Sequence, residues 1–382
     1  MKYVRQLKEN DRKAQLELIC EGFPWNTPSA MKERFDLLAD HSDSFGSFEG
    51  DVLASQIIST PYTINFYNTK YSMAGIGFVA TSQHYQHQHR IDDLMSSIFE
   101  FLYRKGCVLS FLAPFSYRFY RRFGYEKVFD MLDFTIDPSD LPIKDHSYRI
   151  DSMDWQHAKD ILHKLYENNA MCNQGMMVRE PWWEKYKFFL RKPYDFMICF
   201  QKDEPIGYMA YLKKDTEISI FEFVGNKDVL CAFLAEIKKW DEIEKVTYTS
   251  TPRLNEMCEI LEDKSVRSQI VLRPGMMARV VDMEAFLKQY PFMRKLKVAI
   301  EIREDPYCPW NVGIYEIEHK KDSTKIKKVF ETNMPVILMD APMFAKVFFG
   351  NVDHCDLDVE KEVWEKFKQA VVRNPIVFAD YF

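Results

Sequence analysis

The sequence predicts an α+β protein of two or three domains. The chain has 382 residues, more than a single hydrophobic core usually organises. Stretches of period-two alternation, which read as strands, are interleaved with stretches of period 3.6, which read as helices. A polar, proline-bearing stretch, DPSDLPIKDHSY at 137–148, separates two such alternating regions and marks a domain boundary.

NDRKAQLELICEGF and SAMKERFDLLAD (29–40) read as helices, the second opened by Ser29 as its N-cap. SFGSFEGDVLASQIIST reads as a hairpin turning at Glu49-Gly50-Asp51, and YTINFYN and YSMAGIGFVAT continue the sheet. A helix follows from about 91 to 105, because Ile91, Leu94, Met95, Ile98, Phe99, Leu102 and Tyr103 fall on one stripe. Gly106 ends it, CVLSFLAPF returns as a strand, and YRFYRRFGYEKVFDMLDFTID supplies a short helix and a last strand. Beyond the boundary, DSMDWQHAKDILHKLYENN is a helix, 195–225 a three-stranded meander, and DVLCAFLAEIKKW a helix. The pattern changes again near 278–292, after which KLKVAIEIRED, WNVGIYEIEHK and MPVILMD read as strands and APMFAKVFFG and EKEVWEKFKQAVV as helices.

Composition narrows the function classes. Lys plus Arg is 51 against 57 Asp plus Glu, a net charge of −6. That balance argues against nucleic acid or an anionic membrane as partner, since both need concentrated basic charge. Eight cysteines stand singly with no CxxC pair, so reduced, mostly buried thiols are expected and no dithiol or zinc-ribbon motif is. The opening MKYVRQLKENDRKAQ carries no apolar signal core, and no apolar run approaches the roughly 20 residues of a membrane helix. A cytoplasmic location is expected.

The stretch TSQHYQHQHRIDDLM, 81–95, lies between a strand and a helix start and holds His84, His87 and His89 with Asp92 and Asp93. A helix start after a strand is an anion site, because its first N–H groups lack intrahelical partners. A solvated turn is the plain alternative. A metal centre is the weakest reading, since no carboxylate or thiolate cluster supplies a fourth ligand; no metal is expected.

AGIGFVAT leading into that loop, APFSYRFYRRFGYE at 113–126 and the closing FADYF resemble the GNAT acetyltransferase superfamily. The branch resembled is the enhanced-intracellular-survival family. The resemblance implies two tandem GNAT-like domains, 1–140 and 141–285, each a mixed, twisted sheet with flanking helices, followed by a sterol-carrier-like domain at 286–382. It implies acetyl-CoA as co-substrate, with the backbone of Phe78, Val79 and Thr81 along the pantetheine arm. The family's pyrophosphate pattern Arg/Gln-x-x-Gly-x-Gly/Ala falls on Gln86, His87, His89, Arg90 and Ile91. His89 stands at the glycine position and Ile91 at the Gly/Ala position. A histidine held at positive φ costs about 1–2 kcal/mol, and Asp92 and Asp93 would repel a diphosphate.

By the same resemblance Tyr120, in Tyr120-Arg121-Arg122-Phe123-Gly124-Tyr125, is the general acid, and the terminal carboxylate of Phe382 is the base. Phe23 and Trp25 are candidates for stacking on the acceptor, with packing between helices as their bland alternative. The function implied is direct transfer of an acetyl group to a small-molecule amine, aminoglycoside- or polyamine-like, by a homo-oligomer. The altered loop supports a second reading: a degenerate GNAT protein with weak or lost CoA binding, a scaffold that holds an apolar ligand in its last domain.

Overall fold

A computed structural model describes every residue except 25, 144–147, 170–173, 252–255, 262–263, 322, 351, 356, 373–376 and 379. The chain forms two compact bodies. The first takes Met1–Phe129, Gly275–Ile376 and Tyr381–Phe382; the second takes Asp130–Pro274 and Val377–Asp380. Strand Asp130–Ile136, assigned from sequence to the N-terminal domain, pairs in the second body's sheet, and Met277–Val280, assigned to the central domain, pairs in the first body's. Which sheet a short strand joins depends on partners far along the chain, and hydrophobic period does not report them.

In the first body the elements are β1 (Lys2–Gln6), α1 (Arg12–Gly22), α2 (Pro28–Asp40), β2 (Asp43–Glu49), β3 (Val52–Phe66), β4 (Thr69–Thr81), α3 (Arg90–Arg104), β5 (Leu109–Leu112), α4 (Tyr117–Arg121) and β6 (Glu126–Lys127). Sheet order is β1-β2-β3-β4-β5, then Met277–Val280, then β6. The β2–β3 turn carries Gly50 at φ +57, as the Glu-Gly-Asp signal requires. The cap of α2 is Thr27 rather than Ser29: Thr27 Oγ1 accepts from the Ala30 N–H at 3.3 Å, and Pro28 fits the first helical turn, where its missing N–H removes nothing. The stripe on α3 faces inward, with Leu94, Met95, Ile98 and Phe99 fully buried against β2, β3 and β4. Each such side chain contributes about 1.5–3 kcal/mol of burial.

The C-terminal segment of this body is a small sheet of Ser323–Val329, Gly313–Lys320, Leu296–Ile302 and Val336–Leu338, with helices Ala341–Phe349 and Lys361–Ala370. Phe349 packs on Phe66 and Phe111, and Trp310 stacks on Tyr103 at 4.4 Å. Burying aromatic area of this kind joins the segment to the first sheet.

The second body's sheet runs Gln269–Pro274, Asp130–Ile136, Lys245–Ser250, Glu217–Val224, Glu204–Lys214, Asp195–Gln201, Arg149–Met153, with the predicted meander in place. Helices Trp155–Glu167 and Lys227–Ile237 pack on it. Among the described residues no helix is long and apolar enough to cross a membrane.

Candidate functional site

The site begins with an irregularity in β4. Pairing with β3 is regular up to Ile58–Gly77, then slips and resumes at Gln56–Ala80. Phe78 sits in this bulge at φ +46. On the other edge, parallel pairing with β5 runs from Met73–Leu109 to Ile76–Leu112 and stops. Beyond Ile76 the strands part, and the main chain of Phe78, Val79 and Thr81 lies where β5 no longer takes its hydrogen bonds. Such backbone can accept a ligand's amides in place of a strand.

The loop after β4 reaches α3 through His87 at φ +60 and His89 at φ +53. At His89 the loop thus takes the left-handed turn that the family gives to glycine, and His87 adds a second left-handed residue, so both histidines bear strain. His89 stands at the N-cap position of α3 without a side-chain cap, which leaves the helix start open. Val79, Thr81, Gln86, His89, Phe119 and Arg122 are among the residues lining a groove of about 690 Å³ here. His87, Arg90 and Ile91 border it too. Among the described residues no group of three or more His, Cys, Asp or Glu side chains could hold a metal ion.

Two expectations about this loop need correction. Asp92 and Asp93 do not present free charge. Asp92 Oδ2 accepts from Arg122 Nη2 at 2.8 Å, Asp92 Oδ1 accepts from the Tyr307 hydroxyl at 2.9 Å, and Asp93 pairs with Lys2 at 2.5 Å. The repulsion argued from sequence is thus largely neutralised, by partners that sequence spacing could not reveal. Arg90 is not directed at a ligand: its guanidinium is buried and donates to Ser47 Oγ, Phe48 O, Gln88 Oε1 and Glu49, binding the loop to β2.

Tyr120 lies on α4, whose start is capped by Ser116 Oγ accepting from the Phe119 N–H at 3.3 Å. It is 3% exposed, edge-on to Phe115 and Phe119, both of which line the groove. Burial pushes its pKa above the ordinary phenol value, so it stays protonated at neutral pH and can give a proton. The turn after α4 explains the glycine of the motif. Gly124 has φ +81, and a Cβ there would stand 2.1 Å from Arg279 Nη1. Arg279 is fully buried, donates to Phe123 O, and binds Asp305 with both oxygens at 2.6 Å from Nη2. This pair fastens the end of α4, and sequence reading missed it; the left-handed glycine after Phe123 was the visible trace.

The carboxyl end reaches the same strand. The ring of Phe382 stacks on Tyr62 at 5.2 Å, and a Cβ on Gly75 would meet that ring at 2.8 Å. The carboxyl carbon of Phe382 lies 3.9 Å from the Cβ position of Gly77. The two glycines of AGIGF thus share one face of β4 and leave room for the tail. Phe23 packs edge-on to Phe78 at 5.7 Å and against the buried cluster of Leu7, Leu18, Phe48, Leu53 and Ala80. Trp25 lies outside the described residues.

Comparison with known proteins bears on the fold that carries this groove. Residues 3–128 match the acetyltransferase (GNAT) domain family and residues 283–363 the sterol carrier protein domain family. The fold is similar to that of a protein from Enterococcus faecalis described as a probable N-acyltransferase, with 26% identity, full coverage of both chains and a TM-score of 0.91. It is also similar to a GCN5-related N-acetyltransferase from Anabaena variabilis, at 16% identity, full coverage of both chains and a TM-score of 0.86. Eis1 from Mycobacterium abscessus matches at 16% identity, again over both whole chains, with a TM-score of 0.77. No curated protein matches by sequence. Residues 3–128 therefore form a GNAT acetyltransferase domain. A sterol carrier protein domain follows it along the chain, and the whole chain is similar in fold to Eis1.

Proposed function

We propose that this protein transfers the acetyl group of acetyl-CoA directly to the amine of a small molecule, within a ternary complex. The observation that carries the reading is the coincidence on β4 of the bulge and strand parting at Phe78, the groove at the start of α3, and the carboxyl carbon of Phe382 beside Gly77. Acetyl-CoA would lie along Phe78, Val79 and Thr81, with its diphosphate at the loop from Gln86 to Ile91. The amine nitrogen attacks the thioester carbonyl. The new C–N bond replaces the C–S bond, the Phe382 carboxylate takes the ammonium proton, and Tyr120 gives its proton to the departing thiolate.

Resemblance points to aminoglycoside- or polyamine-like acceptors and to a homo-oligomer in the cytoplasm. The scaffold reading loses its main support, since His89 takes the left-handed backbone of the glycine position and Asp92 and Asp93 are paired.

The test is release of free CoA from acetyl-CoA in the presence of a panel of amines. Tyr120→Phe should lower kcat by about 10²–10⁴-fold and leave the Kd for acetyl-CoA within about twofold. Equal kcat in the two proteins would remove Tyr120 from its role.

A further inference from the structure

Arg122 stands at the mouth of the groove with an unusual set of partners. Its guanidinium lies over the rings of Phe119 at 4.5 Å and Phe123 at 4.7 Å, which fix its plane and leave its edge free to donate. That edge donates to Asp92, in a pair whose side chains are 40% and 23% exposed. A pair so placed is worth about 0–1 kcal/mol and exchanges easily. Arg90, the other arginine lining the groove, is committed to β2 and the loop by its buried bonds.

Asp92 has a further partner that does not depend on Arg122. The Tyr307 hydroxyl donates to its second oxygen at 2.9 Å. Tyr307 belongs to the sterol-carrier-like part of the chain and is itself firmly placed. Its ring packs on Phe123 at 4.9 Å, and the Cys308 N–H next to it donates to Asp305, which Arg279 holds. His89 Nδ1 also faces Asp92, at 3.5 Å.

We propose that Arg122 is a phosphate-binding residue of this groove that exchanges Asp92 for the diphosphate of the nucleotide portion of CoA, and that Tyr307 keeps Asp92 docked when Arg122 leaves it. The proposal rests on the reading of the groove as the acetyl-CoA site. An arginine fork gives two parallel charge-assisted bonds to a phosphate, which main-chain N–H groups alone do not supply. It would stand in for the close backbone approach that His89 and Ile91 restrict. Tyr307 matters because an unpartnered Asp92 would compete for Arg122 and repel the incoming anion.

Calorimetry with coenzyme A, and acetyl transfer from S-acetylpantetheine, which lacks the diphosphate, separate the outcomes. Arg122→Ala should weaken coenzyme A binding by about tenfold or more and leave kcat/KM for S-acetylpantetheine within about twofold. Asp92→Asn should tighten coenzyme A binding. Tyr307→Phe should weaken it about threefold in the parent and have no effect in the Asp92→Asn background. Unchanged coenzyme A affinity in Arg122→Ala, or equal losses with both donors, would overturn the role of Arg122. A Tyr307→Phe loss that persists in Asp92→Asn would overturn the role of Tyr307. A parent protein that binds no coenzyme A would instead overturn the reading of the groove on which both roles stand.

Discussion

The chain builds a parallel strand–helix–strand unit twice, and the two copies treat the start of the helix in opposite ways. In the first body β4 and β5 flank α3, and eight residues, 82–89, separate β4 from a helix start with no side-chain cap. In the second body Glu217–Val224 and Lys245–Ser250 flank Lys227–Ile237, with only Gly225 and Asn226 between strand and helix. There Asn226 Oδ1 accepts from the Val229 N–H at 3.0 Å and closes the helix start with the chain's own atoms. Their charges differ in the same sense. Around the open start Asp92 and Arg122 are partly exposed and exchangeable. In the second body Arg179, Glu222 and Asp380 are buried and fully engaged: Arg179 donates to both carboxylates, Lys187 joins them, and Tyr208, Tyr166 and Trp183 donate as well. The first unit leaves its helix start open beside partly exposed charge, and the second closes its own with Asn226 and carries one carboxylate, Glu222, of a buried charge cluster.

The largest effect should come from opening the closed side. Arg179→Leu leaves Glu222 and Asp380 buried with too little positive charge, and should cost about 3–5 kcal/mol, read by urea denaturation. The same cluster sets an acid limit. Burial works to raise the pKa of Glu222 and of Asp380, but Arg179 and Lys187 outweigh it, and both are held below their ordinary values of 4.5 and 3.8. Because the unfolded chain then takes up protons before the folded one does, this contribution is full above about pH 5. It should be lost as pH falls through the folded-state pKa values, and Arg179→Leu should flatten that acid slope.

Asn226→Ala should cost about 1 kcal/mol and leave acetyl-CoA binding unchanged, since the closed helix start is not the ligand's. Loss of acetyl-CoA binding in that variant would break the contrast between the two units. The smallest effect belongs to His89→Gly. It relieves left-handed strain of about 1–2 kcal/mol while adding glycine's unfolded-state entropy, so a net gain of about 0.5–1 kcal/mol is expected, with acetyl-CoA bound at least as tightly. A destabilised His89→Gly protein would mean that the histidine side chain supports the loop.

Sequence reading succeeded where the signal was local. The stripe from Leu94 to Leu102, the Gly50 turn and the 195–225 meander stand as read, because side-chain period and turn chemistry act over a few residues, while the stripe's two ends depart from it, Ile91 half-buried and Tyr103 exposed. It also placed the strained backbone at His89, since a loop position that wants glycine can be recognised without knowing its neighbours. It failed where partners are distant. The charge of Asp92 looked disabling because Arg122 and Tyr307 lie 30 and 215 residues away. The sheet membership of Met277–Val280 and the Arg279–Asp305 pair behind Gly124 were hidden for the same reason.

The most direct test of the central claim is calorimetric titration of the full chain with acetyl-CoA at pH 8, where histidine is ordinarily neutral. The account predicts saturable binding of one acetyl-CoA per chain, because main-chain donors at the open helix start and Arg122 carry the diphosphate. Absence of binding, with the protein folded, would contradict it.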